Sequence, residues 1–336
     1  MISTIKARLD DARLADVLSR YTLDSHYKLL SDWHAFTFEV YRGEISFILR
    51  ISDDSHRSVA DIEGELEWIE FARRGGVSAP LVIPSKYGRT TEVIEAGPSQ
   101  FTAVLFEKLH GKPVVDTDWN SGLFERWGAL VGRLHRLSTA FHSSKHRAYW
   151  WDSDFLNVDA YIPDDLFEIK QAARELVGEI KSLPRDLSTF GMIHADVYQD
   201  NFFLLGSELQ LFDFDNCEYG FFVSDVAIAL YAALWRVPPE ADRQGFSATF
   251  LEAFGLGYCT EFSLDEAQRK MLPIFLRLRD LLIYIVARKK LDLRNLTPIQ
   301  ARLLAERGER IAAKRTIVDV GSSLSQKPSA QLREFC

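Results

Sequence analysis

Cysteine is scarce in this sequence, and the few cysteines lie far apart. They are Cys217, Cys259 and Cys336 in a chain of 336 residues, and no two of them form a CxxC pair. This spacing argues against a zinc knuckle and against a disulfide framework. Scattered cysteines are typical of proteins from a reducing compartment, so we expect a cytoplasmic location.

Long apolar runs and an excess of basic residues are also missing. No stretch reaches the ~18 uncharged apolar residues that a membrane-spanning helix needs, and the first ten residues lack the apolar core of a secretory signal. The 40 basic and 48 acidic side chains give a net charge of −8, which argues against a broad nucleic-acid surface. We therefore expect neither a membrane nor a nucleic acid as partner. The 47% of hydrophobic residues is ordinary for a globular protein.

The first hundred residues have the period-two alternation of β-strands. We predict five strands, at residues 27–30, 36–41, 45–51, 81–84 and 100–107. A tight turn at Arg42-Gly43-Glu44 joins two of them, so the first three strands form an antiparallel meander. Residues 5–20 have the spacing of a helix instead.

A second helix is predicted between Ser58 and Gly75. Ser58 and Asp61 resemble a capping box at its start, and glycines end it. Glu65 falls on the apolar stripe of this helix, where a carboxylate needs a buried partner. Arg50, at the end of the third strand, is the candidate cation.

Helical patterns dominate after residue 111, except at residues 190–215. We therefore predict an α+β chain with a small N-terminal lobe, residues 1–108, that has an antiparallel sheet plus one helix. A larger, mostly helical lobe follows at residues 109–336.

The most informative segment lies between residues 194 and 215. Asn201 follows Asp196 by five residues, and Asp213 comes twelve residues later at the end of an apolar strand. This is the spacing of phosphoryl-transfer enzymes, in which the first Asp accepts the proton of the acceptor hydroxyl. The Asn and the second Asp then hold Mg²⁺ on the nucleotide phosphates, since both supply hard oxygen ligands. Two ordinary turns rich in Asp and Asn are the alternative.

This segment resembles the aminoglycoside phosphotransferase and choline kinase superfamily, in the branch with homoserine-kinase-like enzymes and a bacterial stress-response Ser/Thr kinase. The family motif His-Gly-Asp-x-x-x-x-Asn appears as HADVYQDN at residues 194–201, and Asp-Phe-Asp appears at residues 213–215. The resemblance implies a bilobal, protein-kinase-like fold. It makes Asp196 the catalytic base, and Asn201 and Asp213 the magnesium ligands.

The resemblance also implies roles for neighbouring residues. Phe106, Glu107 and Lys108 match the hinge whose backbone meets the adenine. His194 supports the catalytic loop. Asp225 braces the same loop, although its position also suits a helix N-cap.

Other positions stay open or depart from the family pattern. Asp215 lies beside the metal or the acceptor, or it bonds to nearby backbone. Arg50 stands where many relatives have Lys, and it would pair with Glu65 as the Lys does with a helix Glu in protein kinases. Ala195 replaces the usual Gly, for which we expect a modest loop adjustment. The loop at residues 31–35 contains no glycine to cover the phosphates.

Two further groups have competing interpretations. The aromatic run at residues 149–151 either packs internally or contacts the acceptor. Arg277, Arg279 and Asp280 lie on a late helix and either bind the acceptor or form surface salt bridges, which are weak.

Together these features predict a Mg-ATP-dependent phosphotransferase that acts on the hydroxyl of a small molecule, such as an amino alcohol or a hydroxy amino acid. A protein Ser/Thr kinase and a non-catalytic nucleotide-binding regulator are the alternatives. GTP remains an alternative donor, and the sequence leaves the acceptor and the oligomeric state open.

Overall fold

The computed structural model describes residues 8–32, 35–97, 99–238 and 240–320. The chain forms two compact units. The sheet unit comprises Met1–Lys112, His142–Arg147 and Phe203–Asp215, and the helical unit comprises Pro113–Phe141, Ala148–Phe202 and Asn216–Cys336. The lobe boundary at residues 108 and 109 stays a prediction. Trp33 and His34 of the glycine-free loop lie outside the described residues.

Strands and helices alternate in a mixed α+β order. The strands are β1 (Tyr27–Ser31), β2 (Phe36–Arg42), β3 (Ile45–Asp53), β4 (Val82–Ile83), β5 (Glu92–Ala96), β6 (Ser99–Glu107), β7 (Lys112–Pro113), β8 (Phe190–Ile193), β9 (Phe202–Leu205), β10 (Glu208–Leu211) and β11 (Glu218–Phe221). The helices are α1 (Asp11–Arg20), α2 (Val59–Arg74), α3 (Ser121–Ser138), α4 (Val158–Tyr161), α5 (Phe167–Lys181), α6 (Phe222–Trp235), α7 (Arg243–Cys259), α8 (Glu266–Lys270), α9 (Leu272–Lys290) and α10 (Pro298–Ala312).

The sheet unit is built on an antiparallel sheet. Its strand order is β1-β2-β3-β6-β4, and β5 also pairs with β6. The five predicted strands correspond to β1, β2, β3, β4 and β6, whereas β5 was missed. Glu92 explains the omission, because this acid lies on the buried face of β5 with Ile94 and Ala96 and so hides the alternation of polar and apolar residues.

Alternation along β3 points its side chains to two different environments. Leu49 and Ile51 join a buried cluster that α1 covers with Leu14, Val17 and Leu18. Arg50, between them in sequence, points to the opposite face because successive strand residues alternate. The strand itself therefore aims Arg50 away from the apolar cluster.

Helix α2 begins and ends as the sequence predicts. Ser58 accepts a hydrogen bond from the Asp61 backbone in a complete capping box, and Gly75 follows the last turn. Such a cap satisfies helix N–H groups that have no partner within the helix. The helix buries Glu65 along with its apolar stripe.

The helical unit has a close contact between α3 and α7. A Cβ added to Gly128 would lie 1.9 Å from the carbonyl oxygen of Phe254, and one added to Gly257 would lie 1.7 Å from that of Glu125. The two helices therefore approach backbone to backbone, which only glycine allows. Strands β8 and β11 pair antiparallel beside them. Within the described part of the chain, no helix is long and apolar enough to cross a membrane.

Candidate active site

Asp196 lies in the helical unit, just after β8. Its Oδ2 accepts hydrogen bonds from the side-chain amides of Asn201, at 3.2 Å, and Asn216, at 3.5 Å. Nη2 of Arg279 lies 3.4 Å from Oδ1. Among the described residues, two neutral amides thus contact one oxygen of the carboxylate, and one guanidinium nitrogen contacts the other oxygen.

Asp225 holds the backbone that carries Asp196. Its side chain is completely buried, and its two oxygens accept hydrogen bonds from the backbone N–H groups of His194, at 3.0 Å, and Ala195, at 2.9 Å. Nε2 of His135 lies 3.3 Å from Oδ2. Helix α6 begins at Phe222, so Asp225 lies inside its first turn. These contacts are those of a brace, and the N-cap interpretation is wrong.

The loop between β8 and Asp196 contains a backbone conformation that favours glycine. Ala195 has a φ of +61°, in the left-handed region, where a Cβ costs roughly 1–2 kcal/mol. The backbone therefore keeps this conformation despite the methyl group. His194 is completely buried, and its Nδ1 accepts a hydrogen bond from the Asp196 backbone at 3.3 Å, so its placement is that of a loop support.

Asn201, in the helical unit, and Asp213, in the sheet unit, are the two predicted metal ligands. The side-chain nitrogen of Asn201 donates to the carbonyl and the carboxylate of Asp196, which leaves its Oδ1 without a hydrogen bond from the described residues. Asp213 is exposed, and its φ is +61°. Amide and carboxylate oxygens are both hard donors of the kind that Mg²⁺ prefers. The described residues contain no group of three His, Cys, Asp or Glu that would form an all-protein site.

The predicted pair of Arg50 and Glu65 is present in the sheet unit. It is bidentate, with distances of 2.8 Å from Nη1 to Oε1 and 2.7 Å from Nη2 to Oε2. Burial alone would lower the pKa of Arg50, but the charge and hydrogen bonds of Glu65 and the charges of Asp215 and Asp213 raise it above its ordinary value. Nε of Arg50 is buried and has no partner. A cation with a spare donor fits a nucleotide phosphate.

Asp215 contacts the loop before α2. Its Oδ2 lies 2.9 Å from Nε2 of His56, and its Oδ1 accepts from Arg57 at 3.4 Å. Its carbonyl oxygen also accepts from Arg147, at 2.8 Å. Burial would raise the pKa of Asp215, but the hydrogen bond from His56 and the charges of Arg57 and Arg50 hold it well below its ordinary range. Asp215 is therefore an ionised partner of these cations. Sequence reasoning did not predict these contacts because no local pattern links the cations to Asp215.

Residues His142–Arg147 run along α2, and we name them the α2 clamp. Hydrogen bonds and ion pairs join the clamp to the helix, in the pairs Ser143–Glu67, Ser144–Glu67, Lys145–Glu63, His146–Asp61 and Arg147–Asp61. A Cβ on Gly64 would lie 2.4 Å from the carbonyl oxygen of His146. Gly64 therefore permits the approach that fixes the helix bearing Glu65.

The predicted hinge residues end strand β6. Phe106 is buried, and its ring lies 5.3 Å from the guanidinium carbon of Arg50. The backbone N–H of Glu107 donates to the carbonyl of Leu81 at 2.8 Å. Lys108 pairs with Glu39. A cavity of about 200 Å³ borders Glu107 and Lys108, but Arg50 does not line it, so we do not assign it to the nucleotide.

The two groups with competing interpretations are the aromatic run at residues 149–151 and the charged residues of α9. The ring centroids of Tyr149 and Trp151 lie 4.6 Å apart, and the guanidinium carbon of Arg185 lies 4.8 Å from the Trp151 ring. Trp150 is buried and packs internally, whereas Tyr149 is 40% exposed, so contact of Tyr149 with the acceptor stays a prediction. Asp280 is only 1% exposed and forms a bidentate pair with Arg310. The surface interpretation is therefore wrong for Asp280.

Comparison with known proteins agrees with this geometry. Residues 27–272 match the model of the phosphotransferase enzyme family. The chain is 32% identical over 298 residues to an amicoumacin kinase of Bacillus subtilis (strain 168), covering 87% of this chain and 89% of the relative. It is 28% identical over 279 residues to a homoserine kinase of Rhodopseudomonas palustris, covering 79% and 80%.

A solved structure shows the same fold. An amicoumacin kinase in complex with AMP-PNP and Ca²⁺ superposes with a TM-score of 0.91 at 31% identity, covering 95% of this chain and 98% of the other. An aminopropanol kinase superposes with a TM-score of 0.73 at 21% identity, covering 90% and 96%.

The predicted α+β, protein-kinase-like fold is thus confirmed. The chain belongs to the phosphotransferase enzyme family. It is an ATP-dependent phosphotransferase that acts on the hydroxyl of a small molecule.

Proposed function

We propose that Asp196 is the general base of this enzyme and that Mg²⁺ is its metal ion, held by Asn201 and Asp213. The observation that carries the proposal is the asymmetric environment of Asp196. Its Oδ2 accepts hydrogen bonds from two neutral amides, at 3.2 Å and 3.5 Å, while the contact of Oδ1 with the described residues is the 3.4 Å ion pair with Arg279. A base held through one oxygen keeps the other for the proton of the acceptor hydroxyl.

The divalent ion supplies charge neutralisation on the nucleotide phosphates. Asn201 suits this task because its amide nitrogen is committed to Asp196, so its Oδ1 is turned to accept a cation. Asp213 adds a carboxylate.

Arg50 binds the nucleotide phosphates in this proposal. Its two terminal nitrogens are fixed by Glu65, and its buried Nε remains as a donor. The N–H of Glu107 is already bonded to Leu81, so the adenine contact falls to the rest of the hinge, including the backbone of Lys108. We propose ATP as the donor and the cytoplasm as the place where the enzyme meets it.

We propose a hydroxylated small molecule that also carries an amino group as the acceptor. Kinases of amicoumacin and of homoserine among the relatives support this class. The test is transfer from γ-labelled ATP to amicoumacin and to homoserine. We expect the Asp196→Asn variant to lose about 10²–10⁴-fold in turnover.

Asp200→Asn is the matched control, because Asp200 is an exposed acid four residues away in the same loop. Equal turnover of the two variants would refute the assignment of Asp196. Calorimetry with Mg-ATP tests the metal ligands: we expect weaker binding by Asn201→Ala and Asp213→Ala, and unchanged affinity would contradict their role.

A further inference from the structure

Arg279 is a mostly buried arginine with few partners among the described residues. Its side chain, on α9, is 17% exposed, and its guanidinium makes a single contact with the described residues, at 3.4 Å from Oδ1 of Asp196. Its Nε is buried and has no hydrogen-bond partner among the described residues. A guanidinium offers five N–H donors in a rigid planar fork, so most of the donor capacity of Arg279 is unused.

Arg310 shows what a satisfied arginine looks like in the same unit. It is 19% exposed, close to Arg279, yet it grips Asp280 with distances of 2.8 Å and 2.7 Å. Withdrawing a charge from water without such partners is costly. The comparison indicates that the donors of Arg279 are met by a ligand.

The position of Arg279 identifies which part of a ligand it meets. In the proposed function the acceptor hydroxyl lies against Oδ1 of Asp196, and the guanidinium of Arg279 lies beside that same oxygen. Substrate atoms a few bonds from the hydroxyl therefore face Arg279. Guanidinium groups bind planar carbonyl groups, above all carboxylates, through two parallel hydrogen bonds, and they repel an ammonium group.

We infer that Arg279 selects acceptors in which a carboxylate or carboxamide group lies within a few bonds of the phosphorylated hydroxyl. This inference rests on the proposed function, since it needs the acceptor at Asp196. It narrows the acceptor from amino alcohols in general to hydroxylated molecules that carry such a carbonyl group.

Three related acceptors test the inference. Homoserine has a carboxylate, homoserine amide has a carboxamide, and 3-aminopropan-1-ol has the same hydroxyl and amine with neither group. We expect the wild-type enzyme to phosphorylate at least one of the first two with a kcat/KM at least tenfold above that for 3-aminopropan-1-ol. The better of the two identifies which carbonyl chemistry Arg279 binds.

Arg279→Met keeps the length of the side chain and removes its donors. We expect kcat/KM for the preferred carbonyl-bearing acceptor to fall by about 10–100-fold, the loss typical of charge-assisted hydrogen bonds, mainly through KM. The loss for 3-aminopropan-1-ol is expected to be at least tenfold smaller. Arg277→Met is the matched control, because Arg277 lies on the same helix, is also 17% exposed and pairs with Glu179; it should keep the wild-type ratio between acceptors.

Several results would overturn the inference. One is a wild-type enzyme without preference for the carbonyl-bearing acceptors, and another is failure to phosphorylate either of them while ATP is still hydrolysed. A proportional fall in kcat for all acceptors in Arg279→Met would assign Arg279 to the transferred phosphoryl group instead. Failure of the proposed function is a different result, since ATP turnover would then not depend on Asp196.

Discussion

Replacing Asp225 with asparagine keeps the size of the side chain but removes the charge that holds the catalytic loop. Both oxygens of Asp225 accept backbone N–H groups, from His194 and Ala195, in a completely buried environment. Asparagine offers one acceptor oxygen and one amide nitrogen, so one N–H faces another donor. The variant loses a hydrogen bond to a charged group, about 1.5–3 kcal/mol, and leaves a buried N–H unpaired, about 1–3 kcal/mol.

We therefore expect Asp225→Asn to lower the free energy of unfolding by about 3–5 kcal/mol. The variant should also lower turnover, because Asp196 follows directly after the two backbone groups that Asp225 holds. His135 adds to the cost, since its Nε2 lies 3.3 Å from Oδ2 of Asp225 and its Nδ1 lies 2.7 Å from the hydroxyl of Tyr258. Removing the charge of Asp225 therefore also disturbs the buried contacts of His135 with Asp225 and Tyr258.

Urea unfolding and steady-state kinetics measure the two effects. Asp242→Asn is the matched control, because Asp242 is an exposed N-cap of α7 that accepts the backbone N–H of Gly245. Asparagine caps helices about as well as aspartate, so this control should be nearly neutral. An Asp225→Asn protein with wild-type stability and turnover would refute the argument that Asp225 positions the loop.

Three smaller predictions concern backbone strain, close packing and acid stability. Ala195→Gly should raise the free energy of unfolding by about 0.5–1 kcal/mol, since glycine adopts positive φ without strain. Lys314→Gly, at an exposed position with φ of +53°, should give a similar gain. A lower free energy of unfolding for Ala195→Gly in urea would contradict this prediction. Gly64→Ala forces a Cβ against the carbonyl oxygen of His146 in the α2 clamp and should lower the free energy of unfolding by about 1–3 kcal/mol. Gly178→Ala, with open space around it in a helix, should raise the free energy of unfolding by up to about 1 kcal/mol. Equal effects of the two variants would refute the close approach of Gly64 to the clamp. Burial would raise the pKa of Glu92, but hydrogen bonds from two arginines and a serine lower it. Ionised Glu92 therefore contributes to the free energy of unfolding above its unfolded pKa of about 4.3, and this contribution is lost as the pH falls. The stability gap between wild type and Glu92→Gln should therefore shrink from pH 6 to pH 3, and a constant gap would contradict the lowered pKa.

The parts of the site that could be predicted are those encoded within short segments. The spacing of Asp196, Asn201 and Asp213 is visible in the sequence because the loop that carries them is continuous. Arg50 and Glu65 were paired in advance because a charged residue on an apolar stripe needs a partner, and strand β3 leads directly towards α2. Helix periodicity, the motif spacing and the resemblance to kinases together carried these predictions.

The parts that sequence reasoning missed depend on contacts between distant residues. His56 and Asp215 are 159 residues apart, and Arg279 and Asp196 are 83 residues apart, so no local period relates them. Buried acids caused the other errors. Surface salt bridges were one of the two interpretations of Asp280 because most acids lie at the surface, and only the packing around Asp280 shows the arginine that permits its burial.

An unpaired guanidinium nitrogen alone does not identify a ligand-binding arginine. Nε is buried without a partner in Arg8, Arg50, Arg243 and Arg279. The first three use their terminal nitrogens well: Arg8 pairs with Asp53 at 2.7 Å, Arg50 pairs with Glu65, and Arg243 donates to a backbone carbonyl at 2.9 Å. Arg279 differs because its shortest contact with the described residues is 3.4 Å long. Arg279 therefore has the longest nearest contact of the four, and it lies beside the carboxylate at which the acceptor reacts in the proposed mechanism.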